Sequence, residues 1–242
     1  MATIAIYSLK GGVGKTTLAV NLAWMGATRS ARRTLLWDLD PQAASTFLLD
    51  GHASRNAAQA IFTRDVDPAK CAKPTAVDRL HLIAADTSLR ALDRTFHDLD
   101  KKKRLAKLLG VLAESYDRIL LDCPPGLTET SEQVMRAADL IVVPVIPSPL
   151  SMRAFAEVES HLAGRGAKVP LMPVHAMVDR RRKLHAEALL AHPDWPVIPM
   201  ASIVETMTVQ RQPVGALAPR SAATQAFGLL WQYIERRLAS AR

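Results

Sequence analysis

A chain of 242 residues that is 49% hydrophobic and 22% charged has the composition of an ordinary globular protein, which excludes a disordered or fibrous one. It has no run of about 18 uninterrupted apolar residues, and its start, MATIAIYSLKGG, lacks a basic leader with a cleavage site. Neither a spanning helix nor a secretory signal is therefore expected, and the expected compartment is the cytoplasm. Lysine plus arginine exceed aspartate plus glutamate by 31 − 23 = 8. The excess is steeper after residue 152 (12 − 7 = 5, against 19 − 16 = 3 before it). Such a field favours polyanions, nucleic acid or anionic lipid, and it is also a common means of staying soluble.

In chain order, apolar β-branched runs occur at TIAIYS (3–8), TLLWD (34–38), RLHLIAA (79–85), RILLD (118–122), DLIVVPVI (139–146) and VPLMPVHAMV (169–178). Stretches of helical periodicity separate them, which is the pattern of βαβ units. Runs such as ILL and LIVV are apolar throughout rather than alternating, as strands covered on both faces must be. The expected fold is α/β, a doubly wound and mainly parallel sheet with helices on both faces, in one domain over residues 1–242. Prolines at 124–125, 144–149 and 197–199 are read as following strands, at the carboxyl ends where open α/β sheets bind ligands. Near the end, Phe227, Leu230, Trp231, Ile234 and Leu238 recur at helical spacing and predict a last helix packed on the sheet. Cys71 and Cys123 show no CxxC spacing and are expected as reduced thiols.

The first strand runs into Leu9-Lys10-Gly11-Gly12-Val13-Gly14-Lys15-Thr16-Thr17 and then into a helical pattern. Strand, glycine loop and helix together are the context of a phosphate-binding loop, which makes the expected sheet one of the P-loop NTPase type. Glycines allow positive φ and close backbone approach, so the N–H groups of Gly11, Gly12, Val13, Gly14, Lys15, Thr16 and Thr17 can surround a phosphate at a helix N-terminus. Lys15 can reach the β- and γ-phosphates, and the Thr16 hydroxyl can ligate Mg2+. Leu9 stands where the usual GxxxxGK[ST] pattern has its first glycine, and a second lysine, Lys10, opens the run.

Asp38 and Asp40, two apart at a strand end, point to the same side while the chain stays extended. Asp122 ends an apolar strand, the expected place for a carboxylate that holds Mg2+ through water. Aspartates at strand ends also serve as helix caps and turn formers.

KGGVGKTT resembles the deviant Walker A loop of the ParA/MinD superfamily of ATPases, and DLDPQ and DCPPG resemble segments of its ParA-type members. VVPVIPSPLSMRA and IVETMTVQRQPV are similar to later family segments, the first beside the adenine, where Pro147 and Pro149 could shape a pocket. The resemblance implies ATP and Mg2+ as cofactors and a homodimer around two nucleotides, with Lys10 crossing the interface to the partner's nucleotide. It further implies that Asp40 positions or activates the attacking water and that Asp38 supports Mg2+ coordination through its shell.

Arg180-Arg181-Arg182-Lys183 places four cations in sequence, which suggests a polyanion nearby. ParA-like relatives bind DNA without sequence preference through basic residues in this region, so these four and Arg211 are candidate DNA contacts, with Arg220, Arg236 and Arg237 on the same face. Lys101-Lys102-Lys103-Arg104 is expected to be a solvated face. The reading is a nucleoid-associated ATPase that positions a plasmid, a chromosome or a large protein assembly, stimulated by an adaptor protein on that cargo. No stable membrane insertion is expected, and no site-specific operator binding, because no helix-turn-helix region precedes the loop. A MinD-like membrane-cycling regulator is the competing reading, and an ATP-dependent reductase or ligase on the same fold a more distant one.

Overall fold

The structure is a computed structural model that describes residues 1–52, 57–63, 66–98, 103–164 and 169–240. Its strands are β1 (Ala2–Ile6), β2 (Thr34–Asp38), β3 (Lys73–Pro74), β4 (Leu80–Ile83), β5 (Arg118–Asp122), β6 (Leu140–Val145), β7 (Leu171–Val178) and β8 (Val197–Pro199). They form one sheet in the order β3-β4-β2-β5-β1-β6-β7-β8, parallel throughout except for β3 against β4. The connecting α-helices are α1 (Lys15–Arg29), α2 (Ala44–Leu48), α3 (Ala57–Thr63), α4 (Pro68–Cys71), α5 (Leu92–Asp98), α6 (Arg104–Leu112), α7 (Glu129–Ala137), α8 (Pro149–Gly164), α9 (Lys183–Ala191), α10 (Ser202–Gln210), α11 (Val214–Leu217) and α12 (Ala222–Ser240).

Every residue of β1, β2, β5 and β6 is buried, because helices cover both faces. Alternate side chains enter separate cores. Ala5, Tyr7, Trp37, Leu121 and Val143 pack with Phe62, Phe96, Leu108, Val134 and Phe155 from α3, α5, α6, α7 and α8. Ile4, Ile6, Leu36, Leu120 and Val142 pack with Leu18 and Leu22 of α1 and Phe227, Leu230 and Ile234 of α12. The expected doubly wound α/β fold is the observed one. So is the docking of the last helix, whose five predicted apolar positions are all buried. The Trp231 indole N–H also donates to Ser30 Oγ at 2.7 Å. Gly26 lets the two helices approach, since a Cβ there would lie 3.1 Å from the Trp231 ring.

Three local expectations are corrected. Pro144 lies inside β6 rather than after it. The Val142 carbonyl faces β1, accepting from Tyr7 N–H, and position 144 shares that side beyond the last β1 pairing, so the missing N–H breaks no ladder bond. The segment Val197–Pro199 is itself the edge strand β8, too short to show a period. Arg104, expected in solvent, is buried: its guanidinium donates to the Ile61 and Phe62 carbonyls at 3.1 Å each, satisfying acceptors in the last turn of α3. Lys101 and Lys102 lie outside the described residues, and Lys103 is exposed.

Candidate functional site

The loop between β1 and α1 lies at the carboxyl end of the sheet, where β1 has β5 and then β2 on one side. Gly12 (φ 72°) and Gly14 (φ 92°) occupy the left-handed region that glycine tolerates at little cost, and Gly14 is the N-cap of α1. A Cβ on Gly11 or Gly12 would meet nothing within 4 Å, so their backbone borders open space. Lys15 is buried, and its Nζ donates to the Lys10 carbonyl at 3.1 Å. Burial holds the Lys15 ammonium below its ordinary pKa, while the Asp122 and Asp40 carboxylates oppose that shift.

Asp38 and Asp122 are register partners at the ends of β2 and β5, and both are fully buried. Burial, then the charge of Asp122, pushes Asp38 up to about 8. Burial likewise pushes Asp122 up to about 6, against the pull of the Ser45 and Thr16 hydroxyls and the Lys15 charge. The two differ in their partners. Asp38 is fully engaged: Oδ2 accepts from Thr46 N–H (2.9 Å) and Oγ1 (2.8 Å), and Oδ1 from Asp40 N–H (3.1 Å). Asp122 Oδ2 accepts from Ser45 Oγ at 2.7 Å, whereas Oδ1 is buried with no hydrogen-bond partner among the described residues. A bare buried carboxylate oxygen is costly unless a cation meets it, and with the Thr16 hydroxyl nearby it is a hard oxygen donor of the kind Mg2+ takes. Asp40 is partly exposed beyond the strand end, and its Oδ1 accepts from Gln42 N–H (2.9 Å) in a turn.

The structure thus gathers Lys10, Gly11 to Thr17, Asp38, Asp40 and Asp122 at one edge of the sheet. It adds three residues that sequence reasoning missed. Ser45 and Thr46 of α2 fasten the two buried aspartates, and the only sequence signal for them is a Ser-Thr pair shortly after the acids. Tyr7, which the sequence shows only as part of the first apolar run, donates its phenol O–H to the Gly126 carbonyl at 3.0 Å, fixing the loop after β5 to the strand that feeds the glycine loop. Cys123 is a buried thiol that burial pushes well above its ordinary pKa, and Cys71 is a free thiol at intermediate burial.

Arg180, Arg181, Arg182 and Lys183 are exposed at the start of α9, beyond the carboxyl end of β7. Arg181 forms a bidentate pair with Asp179, 2.9 Å at each contact. Arg211 sits elsewhere, at the C-cap of α10, paired with Asp50 at 3.0 Å and stacked 4.1 Å over the Phe47 ring.

A family model described as an AAA domain matches residues 1–163. The chromosome-partitioning ATPase Soj of Thermus thermophilus is 30% identical over 250 residues, spanning 98% of this chain and 97% of that protein. The chain belongs to the ParA/MinD superfamily, in its ParA-like branch. A second ParA-like relative, the sporulation initiation inhibitor protein Soj of Bacillus subtilis, is 35% identical over 150 residues. That match covers 59% of this chain and spans only 57% of the relative's length. The ParA/MinD fold is matched in three dimensions by an ATP complex of McdA from Cyanothece, with TM-score 0.83 and 22% identity over 97% of this chain and 96% of that one.

Proposed function

We propose that the chain is a Mg2+-dependent ATPase that dimerises around two nucleotides, binds DNA without sequence preference and positions a cargo. The observation that carries this reading is the pairing of the glycine loop and buried Lys15 with the bare oxygen of Asp122. In this reading Lys15 and the loop amides hold the β- and γ-phosphates, and Thr16 and Asp122 hold Mg2+, with Asp38 bracing them through Thr46 and Asp40. Mg2+, when bound, neutralises charge on the phosphate oxygens. Asp40 orients the attacking water, and its contact with Gln42 leaves its second carboxylate oxygen for that role.

Two features support the dimer. The Lys10 side chain makes no ion pair among the described residues, as befits a cation meant for a partner's nucleotide. Exposed apolar side chains, Leu127, Leu150, Leu184 and Met200, follow the carboxyl ends of β5, β6, β7 and β8 and give that edge an adhesive rim. The exposed 180–183 cluster supplies the DNA contacts, and dimerisation doubles it. The proposed cargo system includes an adaptor protein that stimulates hydrolysis, with the ATPase held at the nucleoid in the cytoplasm. Membrane cycling loses support because the apolar stripe of α12 is buried against the sheet.

The test is binding of a fluorescent ATP analogue. Lys15→Ala should abolish it, and unchanged affinity overturns the nucleotide reading. Arg181 and Arg182 changed together to alanine should weaken binding to every duplex about equally. The salt slope should flatten by about 0.9 in log K for each phosphate that is no longer neutralised. Sedimentation with anionic liposomes in place of DNA binding would favour the membrane reading.

A further inference from the structure

Ser45 is fully buried on α2, and its hydroxyl meets the one carboxylate in the site that keeps an unpartnered buried oxygen. A 2.7 Å contact to Asp122 Oδ2 stops the carboxylate from turning about its own axis. The same turn of chain is tied to Asp40: Ala43, the N-cap of α2, donates its N–H to the Asp40 carbonyl at 2.8 Å. Ala43 holds φ 54°, a left-handed conformation unfavourable for a residue with a Cβ, so the turn is kept by the contacts around it. Thr46 completes the brace by bonding Asp38 through Oγ1 and receiving Ala85 N–H at 2.9 Å.

We propose that Ser45 is a positioning residue for metal binding, tying Asp122 Oδ2 to α2 so that Oδ1 is left for Mg2+ and the Asp122 carboxylate is linked to the Asp40 turn. The proposal rests on the nucleotide reading above. A hydrogen-bond partner behind a metal-binding carboxylate typically governs a factor of ten or more in metal affinity. Among the described residues the hydroxyl's hydrogen bond goes to Asp122 and to none of Lys15, Thr16 or the loop amides, so nucleotide binding without metal should be indifferent to it.

The experiment titrates a fluorescent ATP analogue onto the full chain in EDTA and then at increasing Mg2+. Ser45→Ala should raise the Mg2+ concentration needed for half of the metal-induced tightening about tenfold, with affinity in EDTA within about twofold of wild type. Ser45→Thr, which keeps the hydroxyl, should restore the wild-type midpoint. Should Ser45→Ala fail to fold, Ser45→Cys keeps the volume with a weak donor and should show the same direction of shift. An unshifted Mg2+ midpoint overturns the proposal, and so does a parallel loss of affinity in EDTA, which would mark a merely structural role. A wild-type chain that binds nucleotide in neither condition overturns the underlying reading instead, so the two failures are distinct.

Discussion

Replacing Asp38 with asparagine in the nucleotide-free protein tests whether two acids are held side by side in the sheet against their preference. Asp38 is raised to about 8 by burial and by Asp122, whereas in the unfolded chain it ionises near 4. A raised folded pKa means that the folded state holds the proton more tightly. Wild-type stability from this group is therefore present below about pH 4 and lost as pH rises towards about 8. Between pH 5 and 7 the slope is about 1.4 kcal/mol per pH unit, or about 3 kcal/mol over the interval. For a chain of this size that is about 6–12 °C in Tm. The amide of Asp38→Asn cannot titrate, so the difference between variant and wild type should grow in the variant's favour by that amount. The amide also costs about 1 kcal/mol by losing the acceptor for Asp40 N–H, an offset that does not vary with pH and cancels in the comparison. Thermal unfolding in EDTA at pH 5, 6 and 7 measures it. A variant-minus-wild-type Tm that is flat across those three values refutes the reasoning.

Three further outcomes follow from the packing. Trp231→Ala removes a 2% exposed indole and its bond to Ser30 and should cost about 3–5 kcal/mol, seen as a lower midpoint in denaturant titration. Tyr7→Phe removes only the hydroxyl that holds Gly126 and should lower stability by about 1 kcal/mol, while hydrogen exchange of the Gly126 and Leu127 amides rises. His175 is fully buried with Nδ1 unpartnered, and burial holds its pKa below the ordinary value. Its neutral form is the one that folds, so stability is lost as pH falls through about 6.5, and His175→Leu should flatten that fall in melting curves between pH 7 and 5.

What could be read from the sequence was local. The glycine loop is contiguous, and the requirement that backbone approach a phosphate fixes its residue types and spacing, so Gly12 and Gly14 stand at positive φ where the motif demanded it. Asp38 and Asp122 were each legible as the end of an apolar run. Their adjacency was not, because it depends on β2 and β5 being neighbours in register, a fact of strand order that no run of residues states. Arg104 shows the opposite failure: in a basic tetrad it reads as solvated, and the α3 carbonyls that receive its guanidinium lie more than 40 residues away in sequence. Tyr7 and Ser45 were missed for a similar cause. Each is an ordinary residue for its element, and each acts through one hydrogen bond to a segment more than 70 residues distant.

The site's costs all have the same character. Burial raises the proton affinity of two adjacent carboxylates, with the charge of Asp122 adding to it at Asp38, a lysine sits desolvated beside them, and one carboxylate oxygen has no hydrogen-bond partner among the described residues. A hydrophobic core would not retain such a set for stability, since replacing buried charges with apolar groups is often neutral or favourable. On the reading proposed above, each cost is one that the ligand relieves: phosphate meets the lysine, and a divalent cation meets the bare oxygen and offsets the paired acids. The braces from Ser45 and Thr46 keep the acids from relaxing away in the meantime. On that reading α2 links the proposed metal site to Asp40, the residue proposed to orient the attacking water, through Ser45 and the Ala43 N–H.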